Sequence, residues 1–244
     1  MSLIRSLIVF CALGLVVLSC FDPPTYSPVP EIEFRSLKFK EIGDVSEPDS
    51  IILSLNFKDG DGDIGLDASN FADQNIPYNN KYYFRFPNGT LLNYKAKRTN
   101  PNYDTLPAFV KPYNCTNWEI FTEDKIVKDT LYFQLNPDHY NIFIDFLVKN
   151  PDGSFKEFNW REEFAYPNCG IPFDGRFPVL SKDLNQPGPL EGTIRYGMVS
   201  TGFKLLFSIK TLKLRIKIQD RALNKSNEII VCFQFSPTNV AMEN

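Results

Sequence analysis

Apolar and polar residues alternate with a period of two along most of this 244-residue chain, and no long segment keeps a clean 3.6-residue period. That pattern predicts strands. Leu212 to Gln219 is the cleanest case: Leu212, Leu214, Ile216 and Ile218 would face a core, with Lys213, Arg215, Lys217 and Gln219 in water. Ile229 to Phe235 follows as its hairpin partner. Ile51 to Phe57, Tyr82 to Phe86 and Leu131 to Leu135 alternate in the same way, and Ile142 to Val148 is apolar on both faces, as a central strand is. The first strand, Ile32 to Phe39, changes phase between Phe34 and Leu37, which predicts a bulge. Turn signals separate the runs at Pro87-Asn88-Gly89, Asn150-Pro151-Asp152-Gly153 and Asn185-Gln186-Pro187-Gly188-Pro189. Many short strands with such turns point to an all-β chain built as a β-sandwich.

The N-terminus breaks this pattern. Arg5 precedes an apolar run of twelve residues, Leu7 to Leu18, and then Ser19-Cys20. Such a run is too short to span a bilayer core of about 30 Å as a helix, and the arrangement is that of a secretory signal over residues 1–19. Val17-Leu18-Ser19-Cys20 resembles the lipobox of bacterial lipoproteins, which implies acyl chains on Cys20. The alternative, a buried apolar helix or strand, meets Phe21 to Pro30, where four prolines fall within ten residues. These cannot continue a helix or a central strand, and they favour an extended tether over residues 20–30. The body then runs from 31 to 236, with a tail at 237–244.

Composition narrows the function classes. Of 26 basic residues, removal of Arg5 with the signal leaves 25 against 29 acidic, a net of −4. That balance argues against a nucleic-acid partner. Aromatics reach 14%, including 22 Phe, which suits strands and a packed core. Cys115 and Cys169 both lie in turn-like contexts, and a disulfide between them is the expected pairing among the three that Cys115, Cys169 and Cys232 allow. It would close a loop of roughly 55 residues and contribute about 4 kcal/mol in the chain-entropy picture. Cys232, inside an apolar strand, reads as a buried thiol.

The sharpest chemical motif is Asp59-Gly60-Asp61-Gly62-Asp63-Ile64-Gly65-Leu66-Asp67. It sets the carboxylates of Asp59, Asp61, Asp63 and Asp67 in one stretch directly after a strand. So much negative charge in one turn repels itself without a cation, and the glycines let the loop wrap and aim oxygens inward. Hard oxygen ligands on a flexible loop suit Ca²⁺. The loop is not an EF-hand: Ile64 stands where glycine is required, Asn70 where a bidentate Glu would be, and no helix flanks it. The affinity expected of such a site is that of extracellular modules, roughly 10⁻⁴ to 10⁻³ M. The plain alternative is a solvated Asp/Gly turn. A second motif, Asp220-Arg221-Ala222-Leu223-Asn224-Lys225-Ser226-Asn227, resembles the Asp-x-x-x-Asn-x-Ser turn joining the last two strands of many bacterial Ig-like domains. Asp220 and Asn224 would bond the turn backbone, with Asp220 as a more distant candidate to complete the cation site.

Together, the lipobox, the Asp-Gly-Asp-Gly-Asp loop and the Asp220 to Asn227 turn resemble a broad group of Bacteroidota outer-membrane lipoproteins. The resemblance implies an Ig-like β-sandwich on a lipid anchor and supplies no activity. It covers the two ends of the body, leaving residues 76–188 as a loop-rich insertion or a second small β subdomain. In that phylum, periplasmic proteins carry O-glycans at Asp-Ser/Thr-aliphatic sequences, a pattern that Ser50, Thr105 and Thr130 match. The single acidic residue after the anchor, Asp22, leaves the periplasmic face and the cell surface both open.

Enzyme readings find little support. His139 is the one histidine, there is no Gly-x-Ser-x-Gly elbow, and a His-based zinc site is excluded by count. Glu157, Glu162 and Glu163 near Trp160 read either as a carboxylate pair for glycoside hydrolysis or, more simply, as a solvated acidic segment. Trp160, with Phe155, Phe158 and Tyr166, reads either as a sugar-stacking platform or as core packing. The expectation is therefore a non-catalytic outer-membrane lipoprotein: a module or accessory subunit docking on another envelope protein, or alternatively a glycan-binding lipoprotein of a nutrient-uptake system.

Overall fold

The computed structural model describes residues 24–40, 50–93, 118–163, 172–181, 188–199, 203–207, 210–235 and 240–242. Cys20, Thr105 and the expected Cys115–Cys169 pair lie outside these residues. Across the described residues the fold is all-β, with antiparallel strands in three sheets and helical structure confined to short turns. Among the described residues no helix is long and apolar enough to cross a membrane.

Two sheets make the sandwich. The smaller has the order β1 (Glu31–Lys40), β2 (Ser50–Asp59), β8 (Leu190–Val199). The larger has the order β11 (Val240–Met242), β10 (Ile229–Phe235), β9 (Thr211–Ile218), β6 (Ile142–Lys149), β7 (Phe155–Glu157). With the strands between β2 and β6 set aside, β1-β2-β8 correspond to strands A-B-E and β10-β9-β6-β7 to G-F-C-C′ of an immunoglobulin-type sandwich, with β11 added at the edge beside β10.

One core joins the inner faces. From the smaller sheet come Ile51, Leu53, Leu55 and Phe57 of β2; from the larger come Leu212, Leu214, Ile216 and Ile218 of β9, with Ile142, Ile144 and Phe146 of β6. The alternation is realised from Leu212 to Ile218, but Gln219, expected in water, is 1% exposed just past the end of β9, where its N–H bonds the Asn141 carbonyl. The phase change in β1 is a register shift between Phe34 and Ser36, which returns Leu37 to the core. One end of the sandwich, beyond Phe146, is closed by aromatic side chains. Trp160 of α1 (Trp160–Glu163) lies 5.6 Å from Phe146 and 5.7 Å from Phe203 of α2 (Phe203–Phe207).

The third sheet, of order β3 (Lys81–Tyr83), β5 (Ile126–Leu135), β4 (Trp118–Glu123), leaves the sandwich between β2 and β6. It buries Leu92, Tyr132 and Phe133 apart from the main core. The segment outside the sandwich is thus shorter than 76–188, because β6 and β7 belong to the larger sheet. Asn150 to Gly153, one of the turn signals, is the tight turn of the β6–β7 hairpin, with Gly153 at φ 87°.

Leu214 is fully buried and Ile230, on the neighbouring strand, is 54% exposed. Leu214→Ala should lower unfolding free energy by about 2–5 kcal/mol. Ile230→Ala should change it by less than about 0.5 kcal/mol. Urea unfolding of both variants checks the assignment of faces.

Candidate metal centre

The inward alternation of two facing strands ends on aspartate at the same end of the sandwich, opposite the aromatic closure. In β2 the series Leu53, Leu55, Phe57 continues to Asp59, which is 0% exposed. In β9 the series Leu214, Ile216, Ile218 continues to Asp220, 1% exposed. Two carboxylates therefore occupy the layer in which the core would otherwise continue.

The loop after β2 adds a third acidic side chain. It crosses from the smaller sheet to the β9–β10 turn, where Ile64 pairs with Asp220. Arg221 N–H donates to the Asp63 carbonyl at 3.2 Å and Ala222 N–H to Asp63 Oδ2 at 3.0 Å. Carboxylate oxygens of Asp59, Asp63 and Asp220 then lie within 4.8 Å of one another. Both oxygens of Asp59, Oδ1 of Asp61 and Oδ1 of Asp63 are buried with no hydrogen-bond partner. Asp220 keeps its turn role as well: Oδ1 accepts from Asn224 N–H at 2.7 Å and Oδ2 from Asn224 Nδ2 at 2.9 Å. The expected turn residue is thus also a wall of the acidic cluster.

Burial and mutual repulsion raise these acids together. Desolvation, and then the charges of Asp61, Asp63 and Asp220, push Asp59 up to about 7. Desolvation followed by Asp220 and Asp61 takes Asp63 to about 6, and desolvation raises Asp220. A nearby cation, Arg221, is turned away from the cluster: its guanidinium holds Asp73 at 2.8 and 3.1 Å. The donor set is oxygen from carboxylates. It fits Ca²⁺, which accepts six to eight oxygens in flexible geometry, better than Mg²⁺, which needs near-ideal octahedral ligation. Zinc sites draw on nitrogen and sulfur.

The glycines explain how the loop fits. Gly62 has φ +69°, and a Cβ there would lie 2.4 Å from the Gly188 carbonyl. A Cβ on Gly60 would lie 2.4 Å from the Tyr26 carbonyl. The loop is clasped from both sides, with Gly188 N–H donating to the Asp61 carbonyl at 3.1 Å.

Asp67, grouped with the cluster by its spacing, is elsewhere. Its Oδ1 accepts from Ser69 N–H at 2.8 Å and Ser69 Oγ at 2.7 Å, and these bonds hold its carboxyl below the usual range. A hydroxyl two residues on captures the carboxylate locally, before it can turn inward.

Two residues that sequence reasoning missed fix the surroundings. Asp73, 0% exposed, accepts from Asp67 N–H at 2.8 Å as well as from Arg221. Arg176 donates to three backbone carbonyls, of His139 (2.6 Å), Asp73 (2.8 Å) and Tyr78 (2.5 Å). His139 belongs to that junction, with Nδ1 2.9 Å from the Tyr78 carbonyl.

Of the other expected positions, Ser50 opens β2 and Thr130 falls in β5. Trp160 and Phe158 pack inward on Phe207, as the packing reading has it, whereas Phe155 lies under Lys213 outside the core and Tyr166 lies outside the described residues. Glu157 pairs with Arg215 at 2.7 Å. No protein-family model, curated protein or solved structure matches the chain.

The raised acids set a pH dependence for the metal-free protein. In the unfolded chain these carboxyls ionise near pH 4; in the folded protein Asp59 keeps its proton to about 7 and Asp63 to about 6. Folded protein therefore binds more protons across that window, and stability falls as pH rises from about 4 to 7. In EDTA the melting temperature should drop between pH 5 and pH 7, and Asp59→Asn should flatten the drop. A melting temperature that rises over this range in EDTA contradicts the assignment.

Proposed function

We propose that this chain is a lipid-anchored outer-membrane protein whose sandwich is a non-catalytic interaction module, or an accessory subunit of an envelope complex. Ca²⁺ held by Asp59, Asp61, Asp63 and Asp220 stiffens the end of the body nearest the tether. The observation that carries the calcium reading is the group of four buried carboxylate oxygens, on Asp59, Asp61 and Asp63, that have no hydrogen-bond partner. Buried ionised oxygens are stable only when paired or bound to a metal. The anchor reading is supported by the signal-like residues 1–19 and the lipobox-like Val17 to Cys20. The periplasmic and surface faces of the membrane are distinguished by protease treatment of intact cells.

The cation's role is mechanical. It replaces the repulsion among the acids with shared coordination, and so joins the loop after β2 to the β9–β10 turn on the opposite sheet. With an affinity near 10⁻⁴ M, 10 mM Ca²⁺ would be about 100 times Kd and would stabilise the fold by about 2.7 kcal/mol. For a body of this size that is a rise of about 5–10 °C in melting temperature. Asp61→Ala should remove the response to Ca²⁺ and EDTA. A wild-type melt that is the same in both would leave the loop as a plain Asp/Gly turn.

The interaction role is tested by affinity purification of tagged full-length protein from detergent-solubilised native membranes. A stoichiometric envelope protein among the co-purifying material is the expected result. Recovery of the protein alone contradicts the subunit reading.

A further inference from the structure

Residues 20–30 read as an extended tether, and from Tyr26 the described part of it lies against the body. Gly60 N–H donates to the Ser27 carbonyl at 2.8 Å. The Tyr26 hydroxyl donates to Glu191 Oε2 at 2.7 Å, and Lys58 Nζ sits 5.6 Å from the centre of the Tyr26 ring. Pro30 is buried. Two of these contacts come from Lys58 and Gly60, the residues on either side of Asp59. The segment that presents the carboxylates therefore also contacts the tether, through the Gly60 backbone and the Lys58 side chain.

We infer that cation binding at Asp59, Asp61, Asp63 and Asp220 latches the Tyr26 to Pro30 segment onto the body, so that Ca²⁺ sets how the folded domain hangs from its membrane anchor. The inference rests on the calcium reading above. Gly60 lies between Asp59 and Asp61, so the position of its N–H, and with it the bond to Ser27, is tied to how those two carboxylates are held. Without the cation the shared coordination that draws Asp59 and Asp61 inward is gone, and losing the Gly60–Ser27 bond frees the tether. With the cation bound, the loop is held between Ser27 on one side and Gly188 on the other. Linkage makes the effect reciprocal: the factor by which Ca²⁺ favours docking is the factor by which docking tightens Ca²⁺.

Chymotrypsin cleavage after Tyr26 reads the latch directly. The experiment uses full-length protein in detergent micelles, well below its melting temperature, with 10 mM Ca²⁺ or EDTA, alongside ⁴⁵Ca equilibrium dialysis. In the wild type, Ca²⁺ should slow cleavage at Tyr26–Ser27 by about 10-fold or more. Gly60→Ala keeps all four carboxylates but drives a methyl into the Tyr26 carbonyl. It should be cleaved rapidly in both conditions and should bind Ca²⁺ about 5-fold or more weakly. Glu191→Ala, on β8 and outside the carboxylate set, should raise cleavage in Ca²⁺ several-fold and serves if Gly60→Ala does not fold. Ca²⁺ that binds in dialysis while leaving cleavage at Tyr26 unchanged would overturn the latch and leave the cation site standing. No binding in dialysis would overturn both.

Discussion

The structure turns on a conflict at one end of its core. Two strands on opposite sheets, β2 and β9, run their apolar alternation to its end and lead to buried carboxylates that converge in one layer. Leu53, Leu55 and Phe57 lead to Asp59; Leu214, Ile216 and Ile218 lead to Asp220. A hydrophobic residue at either place would have continued the core at no electrostatic cost. Two acids there, with Asp63 brought over them, cannot all be ionised without a counter-charge. Protonation relieves the conflict at low pH, and a bound hard cation would relieve it at neutral pH.

The neighbouring contacts fix the segments around that layer. Arg221, one residue after Asp220, reaches the buried Asp73, and its carbonyl accepts from the Tyr78 hydroxyl. Arg176 gathers carbonyls from the segments around Asp73, Tyr78 and His139. These two arginines fasten the route between β2 and the third sheet to the sandwich. Gly60 and Gly62 let Tyr26 and Gly188 close on the loop from either side at distances no side chain would tolerate. The aromatic group around Trp160 closes the far end of the core, so the two ends are sealed by opposite chemistry.

Much of the sandwich was legible because its strands are amphipathic on a period of two. Leu212 to Ile218 and the phase change after Phe34 each correspond to an observed feature, since nothing but burial on one face decides those residues. The Asp59 to Asp63 motif was legible too, as a local density of charge and glycine. The partnership of that loop with Asp220 was visible only as a remote option, because the sequence between them spans the whole third sheet and four strands of the sandwich. Asp67 misled through spacing: its carboxylate satisfies itself on Ser69 before tertiary structure can use it. Asp73–Arg221 and the three-carbonyl grip of Arg176 left no trace in the pattern, since long-range polar pairs have no periodicity. The proline content of residues 23–30 correctly denied a helix, but it said nothing of Tyr26, whose ring and hydroxyl dock the segment.

The central claim is that the acidic layer between β2 and β9 is a calcium site. Its most direct test is the stoichiometry of ⁴⁵Ca bound by purified full-length protein at pH 7.5, set against the Asp59→Asn variant. One ion per chain in the wild type, lost in the variant, is the result the account predicts. A wild-type protein that binds no calcium at 10 mM, or a variant that binds as well as the wild type, would contradict it.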